Sequence, residues 1–375
     1  MRLALIASFS IIGGAFAGEP KTFPDAKHGR GEMTHVQGLP VLTLRGKAAE
    51  RGEQFGVLAV KNAPFLDELH QNFLKDAGLE RRQGFVNLMV RKLKPGVPAE
   101  YLAELEAVVK ASGRDLELAL FANTVYDLSS TMGCSTVVVE KNRSKTGQPL
   151  FGRNFDWLPS KGITEHTLLA VMHPEGKRSF AVVTITPIIG CISGMNDAGL
   201  SCTLNEIHLV KSKEKAPFDW DGTPVMLAFR RVLEECATVD EAEKLLKSMK
   251  RTTTACMTIC DKNGGAVFEI TSQSVNRRAA VNDVCLCTNH FRTDALMIEK
   301  KCWRYDKLSP LQQESAKLDV AGVYEQLAKV DQGKYTLQSM VFEPAERKLH
   351  LKYGNGSATE RNAIDLDLGK LFDAK

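Results

Sequence analysis

The sequence predicts an α+β protein built from packed helical layers and largely antiparallel sheets. Two observations carry this. Residues 18–130 read mostly as amphipathic helix, and from Cys134 onward short β-branched runs alternate with turn-forming residues. No internal repeat and no low-complexity linker divides the 375 residues, so the helices and strands belong to one layered arrangement.

Taken in order, Arg2, the apolar run LALIASFSII and the small-residue stretch GGAFAG predict an export signal over residues 1–17, cut after Ala17. The run is shorter than the roughly 20 apolar residues that a spanning helix needs, and no later segment is long and apolar enough to span a membrane. LPVLTLRG reads as a strand closing on Gly46. KAAERGEQFGVLAVKNAPFLDELHQNFLKD predicts helix, with Gly52 and Gly56 four apart on one face, where another backbone can come close. PAEYLAELEAVVKASG predicts an amphipathic helix with Leu102, Leu105, Val108 and Val109 as its stripe and Gly113 as its stop, and LELALFANTVYDL continues as helix.

STVVVE, TLLAVMH, SFAVVTIT and LSCTLNEIHL then predict strands, with KNRSKTGQP and PEGKR as the loops of hairpins. DGTPVMLAFRRVLEECATVDEAEKLLKSM predicts two helices broken at Ala237-Thr238-Val239. ACMTICDKNGGAVFEITS is a hairpin turning at Asn263-Gly264. VCLCTNHF reads as a strand end, ALMIEKKCWRYDKLSPL as a helix, and TLQSMVFEPAERKLHLKYG as a last hairpin.

Composition narrows the function. The chain is 43% hydrophobic and 25% charged with a formal net charge of +4, ordinary for a globular enzyme. Lys and Arg are scattered, without the basic stripe that nucleic-acid binding requires. A small or acyl-type substrate fits better. The nine cysteines are Cys134, Cys191, Cys202, Cys236, Cys256, Cys260, Cys285, Cys287 and Cys302. They suit an exported, disulfide-permissive compartment, and their odd count leaves at least one thiol unpaired within the chain. Cys285 and Cys287 lack a second ligand pair for zinc, so no metal site is expected.

Cys134 opens the apolar run STVVV, where a cysteine taken alone reads first as a buried hydrophobe. Gly133 adds little bulk beside the preceding peptide bond. If that bond is cut, Cys134 gains an α-amine with a pKa of about 7.7–8.0 beside a thiol near about 8.5, so one residue supplies nucleophile and base. Uncut, the same nitrogen is an amide and takes no proton. Arg153, nineteen positions on, supplies a permanent positive charge to favour a thiolate, and Asp156 an acceptor to orient the amine. Taken alone, the two read first as a structural ion pair. In an ideal strand they point to opposite faces, so a bulge or turn near Asn154, eased by Gly152, is expected to bring both to Cys134. Asn205 in SCTLNEIH and Asn289 in CTNHF are candidate oxyanion donors, although asparagine is also common in turns and caps.

In this order the pieces resemble the linear-amide branch of the N-terminal nucleophile hydrolases, whose members include penicillin (isopenicillin-N) acyltransferase, choloylglycine (bile salt) hydrolase and acid ceramidase. The acyltransferase-like branch is the nearest. LRGKAAERGEQFG, GCSTVVV with GRNFDW, GMNDAGLSCTLNEIH, TNHF and WRYDKL carry the likeness across nearly the whole mature chain. The resemblance implies a four-layer αββα sandwich. It also implies self-cleavage between Gly133 and Cys134, leaving an α-rich chain of residues 18–133 associated with a β-rich chain of residues 134–375. Carried over by motif, Cys134 is nucleophile and base, Arg153 and Asp156 tune and orient it, Asn205 and Asn289 donate to the oxyanion, and Arg304 completes the polar network, with Arg292 nearby. No cofactor is implied, and the substrate is a small acyl-amide. The loop between Cys134 and Arg153 is a few residues longer than in bile salt hydrolases.

Two rival readings remain at this level. One is a thiol protease pairing Cys134 with His290; the other is a catalytically silent binding protein on the same scaffold.

Overall fold

The computed structural model describes residues 22–63, 65–129, 131–207, 218–297 and 301–374. The export signal expected over residues 1–17 lies outside them.

Sixteen strands and ten α-helices are found among the described residues. The first are β1 (Ala26–His28), β2 (Gly31–Val36), β3 (Leu39–Gly46), α1 (Ala48–Leu58), α2 (Leu66–Asp76), α3 (Gln83–Leu93), α4 (Ala99–Ser112) and α5 (Leu116–Leu128). Then come β4 (Gly133–Val139), β5 (Leu150–Asp156), β6 (Thr167–Pro174), β7 (Phe180–Ile185), β8 (Ser193–Asn196), β9 (Ser201–Glu206), α6 (Val225–Glu235) and α7 (Val239–Ser248). The rest are β10 (Ala255–Asp261), β11 (Gly264–Ile270), β12 (Val275–Arg278), β13 (Val284–Cys287), α8 (Trp303–Leu308), α9 (Val320–Ala328), β14 (Thr336–Glu343), β15 (Lys348–Tyr353), β16 (Ile364–Asp367) and α10 (Leu368–Asp373).

The strands form a ten-stranded sheet, ordered β1-β2-β3-β6-β7-β8-β9-β10-β11-β12, and a six-stranded sheet, ordered β13-β4-β5-β14-β15-β16. Every pairing is antiparallel except β3 with β6. Side-chain alternation assigns each strand face to a different core. Val138, Phe151, Met340 and Phe342 of the smaller sheet meet Val41, Leu169, Val171 and Val267 of the larger one. Val137, Val139, Leu150 and Val341 turn outward onto Val323 and Leu327 of α9. Leu42, Leu44, Phe180 and Val182 face Phe55, Leu105, Phe229 and Leu233 of α1, α4 and α6. Helix, sheet, sheet and helix therefore stack as four layers, as expected. Because both faces of the sheets are covered, Val137, Val138 and Val139 of β4 are consecutive buried apolar residues rather than alternating ones.

The structure differs from the sequence reading in three places. The segment before Cys134 is less purely helical than expected: β1 to β3 belong to the large sheet, and β3 pairs in parallel with β6 from beyond Cys134. The helix expected over ALMIEKKCWRYDKLSPL is only the six-residue α8 among the described residues, Cys302 being its N-cap. On α4 the fully covered side chains are Tyr101, Glu104, Leu105 and Val108, with Leu102 and Val109 only half-buried. The stripe is rotated because Gly52 and Gly56 admit α4 so closely. A Cβ on Gly52 would lie 2.2 Å from the Glu104 carbonyl oxygen, and one on Gly56 would lie 2.6 Å from that of Val108.

Candidate active site

β4 and β5 run antiparallel in unbroken register, with Gly133 opposite Asp156, Cys134 opposite Phe155 and Thr136 opposite Arg153. Residues opposite one another share a face, so Cys134, Phe155 and Arg153 project together into the gap between the sheets. Arg153 Nη2 donates to Cys134 Sγ at 3.0 Å and its Nη1 to the Ile192 carbonyl at 2.9 Å. The thiol itself donates to the Leu204 carbonyl at 3.4 Å. Cys134 and Arg153 are completely buried.

The bulge expected near Asn154 is absent; the irregularity lies in β14, between Thr336 and Gln338. Asp156 keeps its strand-dictated face, away from the thiol, and reaches the site by standing opposite Gly133. Its Oδ1 accepts from Thr336 Oγ1 at 2.6 Å, its Oδ2 from Gln332 Nε2 at 2.5 Å, and Arg304 Nη1 lies 3.5 Å away. Burial pushes the Asp156 carboxyl up; Thr336, Arg304, Gln332 and Arg153 oppose it. In the uncut chain the Cys134 nitrogen does not donate to Asp156, the acceptor expected for the freed amine, but to Asn289 Oδ1 at 2.9 Å.

Asn289 therefore acts here as an acceptor as much as a donor. Its Oδ1 also accepts from Arg304 Nη2 at 2.6 Å, and its Nδ2 donates to the carbonyls of Glu206 at 2.6 Å and Met132 at 3.4 Å. Arg304 donates through Nη1 to the Cys134 carbonyl at 2.5 Å. Arg292 instead stacks its guanidinium 4.0 Å from the Tyr305 ring centroid. Asn205 is fully buried, and neither its Oδ1 nor its Nδ2 has a hydrogen-bond partner. It pairs with Cys256 of the inter-sheet core, so it faces the same gap as Cys134. A buried amide without partners is costly, which sets Asn205 apart from the satisfied polar groups around it.

Three residues escaped the sequence reading. Glu206 Oε2 accepts from the Met132 backbone nitrogen at 2.7 Å, holding the chain just before Gly133. The only hint was a charge ending an otherwise uncharged strand. Gln332 and Thr336 bracket Asp156 from far along the chain, where spacing carries no signal.

Burial pushes the Cys134 thiol up to about 11, against the pull of Arg153 and Arg304 and with Asp156 and Glu206 adding to the rise. The uncut chain thus holds a neutral thiol beside two guanidinium groups. His290 hydrogen-bonds the thiol of Cys302. Burial pushes that second thiol up, but His290 and Thr288 outweigh it and bring Cys302 to about 6.

Beside the site an apolar cleft of about 60 Å³ is lined by Leu66, Leu69, Phe73, Val125, Trp157 and Ile188. Trp157 Nε1 donates to Thr131 Oγ1 at 2.9 Å, placing the cleft next to the segment before Gly133. Among the described residues no group of three or more His, Cys, Asp or Glu could hold a metal ion, and no helix is long and apolar enough to cross a membrane.

No curated protein matches the sequence. Among solved structures, similar chains include a Caenorhabditis elegans N-acylethanolamine-hydrolyzing acid amidase ortholog (19% identity over 56% of this chain and 93% of that one, TM-score 0.44). Penicillin V acylase from Agrobacterium tumefaciens matches at 17% identity over 64% and 88%, TM-score 0.48. A mutant of conjugated bile acid hydrolase from Clostridium perfringens matches at 14% over 63% and 93%, TM-score 0.44. A family model described as acyl-coenzyme A:6-aminopenicillanic acid acyl-transferase matches residues 142–358, a span containing Arg153, Asp156, Asn205, Asn289 and Arg304 and starting after Cys134. With more than half its length matched, the chain belongs to the acyl-coenzyme A:6-aminopenicillanic acid acyl-transferase family.

Proposed function

We propose that this protein is an exported, self-processing cysteine hydrolase of small linear amides, activated by cutting its own Gly133–Cys134 bond. The observation that carries the reading is the convergence on one residue. Arg153 touches the sulfur, Asn289 holds the nitrogen, and Arg304 holds the carbonyl of Cys134. Export is supported by the sequence of residues 1–17 alone.

In self-cleavage the Cys134 sulfur attacks the Gly133 carbonyl carbon. The new C–S bond replaces the C–N bond, and the thiol proton passes to the nitrogen, which becomes the α-amine. Water then hydrolyses the thioester and leaves a Gly133 carboxylate. In the mature enzyme the same amine takes the thiol proton as the sulfur attacks a substrate amide. Arg153 stabilises the thiolate, and Asn205 donates to the oxyanion. The departing amine takes the proton, and water releases the acyl group. An acceptor amine in place of water would make the reaction an acyl transfer. The apolar cleft beside Trp157 favours an apolar acyl group. The two chains stay together through the β3–β6 pairing, which joins sequence from both sides of the cut.

N-terminal sequencing and intact mass of the purified protein test this. Two chains are expected, the larger beginning at Cys134, while Cys134→Ala stays whole and turns over no acyl-amide. Full activity in a chain unbroken through Gly133 overturns the reading, as does a processed enzyme that cleaves no member of an acyl-amide panel.

A further inference from the structure

Gly133 is the first acyl group this protein would handle. If Cys134 cuts its own chain, which is the reading proposed above, the intermediate is a thioester of Gly133. A substrate acyl-enzyme is the same kind of species, an acyl carbon on the same sulfur, and on this proposal its α-carbon takes the place of the Gly133 Cα. What surrounds that Cα in the uncut chain therefore reports what the site allows at the substrate's α-carbon.

The surroundings are tight and built. A Cβ on Gly133 in the L configuration would lie 2.8 Å from Gln332 Nε2, 3.1 Å from Asp156 Cβ and 3.2 Å from Asp156 Oδ2. Distances below about 3.0 Å are not tolerated without movement, and a glutamine tip normally moves easily. This one is tied. Its Nε2 donates to Asp156 Oδ2 at 2.5 Å, while its backbone nitrogen donates to Thr336 Oγ1 at 2.8 Å, and that hydroxyl donates in turn to Asp156 Oδ1 at 2.6 Å. Gln332, Thr336 and the buried Asp156 thus close a ring over Gly133. Displacing the glutamine amide removes a charge-assisted hydrogen bond from a buried carboxylate. Asp156 Cβ itself is fixed by the β5 backbone.

We infer that Gln332 is a specificity-determining residue that, with Asp156, excludes acyl groups whose α-carbon carries a second substituent on the side facing these two residues. A substituent pointing in the direction of an L-alanine side chain is excluded. Straight-chain acyl and arylacetyl amides fit this rule; amides of 2-methyl acids with the L-like configuration do not.

The test compares amides of one amine carrying matched acyl groups: octanoyl against each enantiomer of 2-methyloctanoyl, and phenylacetyl against each enantiomer of 2-phenylpropanoyl. For the mature wild-type enzyme, kcat/KM for the L-like branched member of each pair is expected to be lower by about tenfold or more, the usual discrimination against one misplaced methyl group. Gln332→Ala should bring that ratio toward one, whatever it does to the absolute rate through Asp156. Self-cleavage gives a second readout that needs no added substrate. Gly133→Ala should slow it by a similar factor, and adding Gln332→Ala should restore part of the loss. Equal turnover of straight and L-like branched amides overturns this inference and leaves the amidase reading standing. A processed enzyme that cleaves neither member of any pair overturns both.

Discussion

Two largely buried polar clusters, one beneath α1, α4 and α6 and one around Cys134, use similar residues to opposite ends. In the first, Arg230 forks onto Glu104 at 2.8 and 2.9 Å, and Arg51 reaches the same carboxylate at 2.7 Å. Glu234 takes Arg230 Nε at 2.8 Å, Lys177 Nζ at 2.8 Å and the Tyr101 hydroxyl at 2.7 Å. Glu100 adds a third carboxylate, 2.6 Å from Lys177 Nζ and 3.5 Å from Arg51 Nη2, so three cations face three carboxylates. In the second, Arg304 has Asp156 3.5 Å away, but Arg153 donates only to a thiol and a carbonyl, and the amide of Asn205 has no partner. The difference separates structure from chemistry. A cluster whose charges are paired fixes one packing; on the function proposed above, a guanidinium aimed at a neutral thiol and an amide without partners are kept for a substrate atom. The first cluster also joins Arg51, Tyr101 and Glu104 to Lys177, Arg230 and Glu234, groups that the proposed cut places on different chains.

The comparison breaks most sharply at Glu104. Glu104→Ala leaves Arg51 and Arg230 facing each other without their shared carboxylate, and unfolding in urea should show a loss of about 3–5 kcal/mol. The fraction that still folds should cut itself normally. An unchanged midpoint would show that the cluster does not hold the layers.

At the other cluster the effect should fall on rate and not on stability. Asn205→Ala removes a donor that bonds nothing in the resting chain, so its unfolding midpoint should stay within the scatter of surface substitutions. Its kcat on amides should fall about 100- to 1,000-fold, as for other oxyanion donors. A destabilised variant with normal kcat would reverse the assignment.

The smallest effect concerns the thiols. In uncut Cys134→Ala, alkylation should reach Cys302 first, with a pH midpoint near about 6, because only the thiolate reacts. Burial pushes Cys236 and Cys285 up to about 12, so they should stay unmodified at neutral pH. His290→Ala removes a donor to the thiolate and should move the Cys302 midpoint upward by about one unit or more. A midpoint that does not move would show that exposure, rather than hydrogen bonding, sets the reactivity.

Much of this architecture could be read along the chain. The β-branched runs at β4, β6, β7 and β10, the helix stop at Gly113 and the close approach at Gly52 and Gly56 are local properties, and the structure agrees with them. The family also was legible, from ordered short motifs. Glu104 was not: periodicity marks a helix's apolar side, but the glycine pair on α1 turned a glutamate into the core, where Arg51 and Arg230 hold it. The strands β1 and β2 were hidden by polar residues, because an edge ribbon buries little.

Sequence alone determined that Cys134 begins a buried strand, that Arg153 and Asp156 follow it on the next one, and that Gly133 leaves the intervening bond uncrowded. These rest on local pattern and on side-chain size. Tertiary structure alone decided which atoms meet: that Asp156 stands against Gly133 instead of the sulfur, that Asn289 receives the Cys134 N–H, and that Gln332 and Thr336 close over the same peptide. Strand register and sheet packing fix those encounters between residues up to 180 positions apart, and neither is written in any local stretch of the chain.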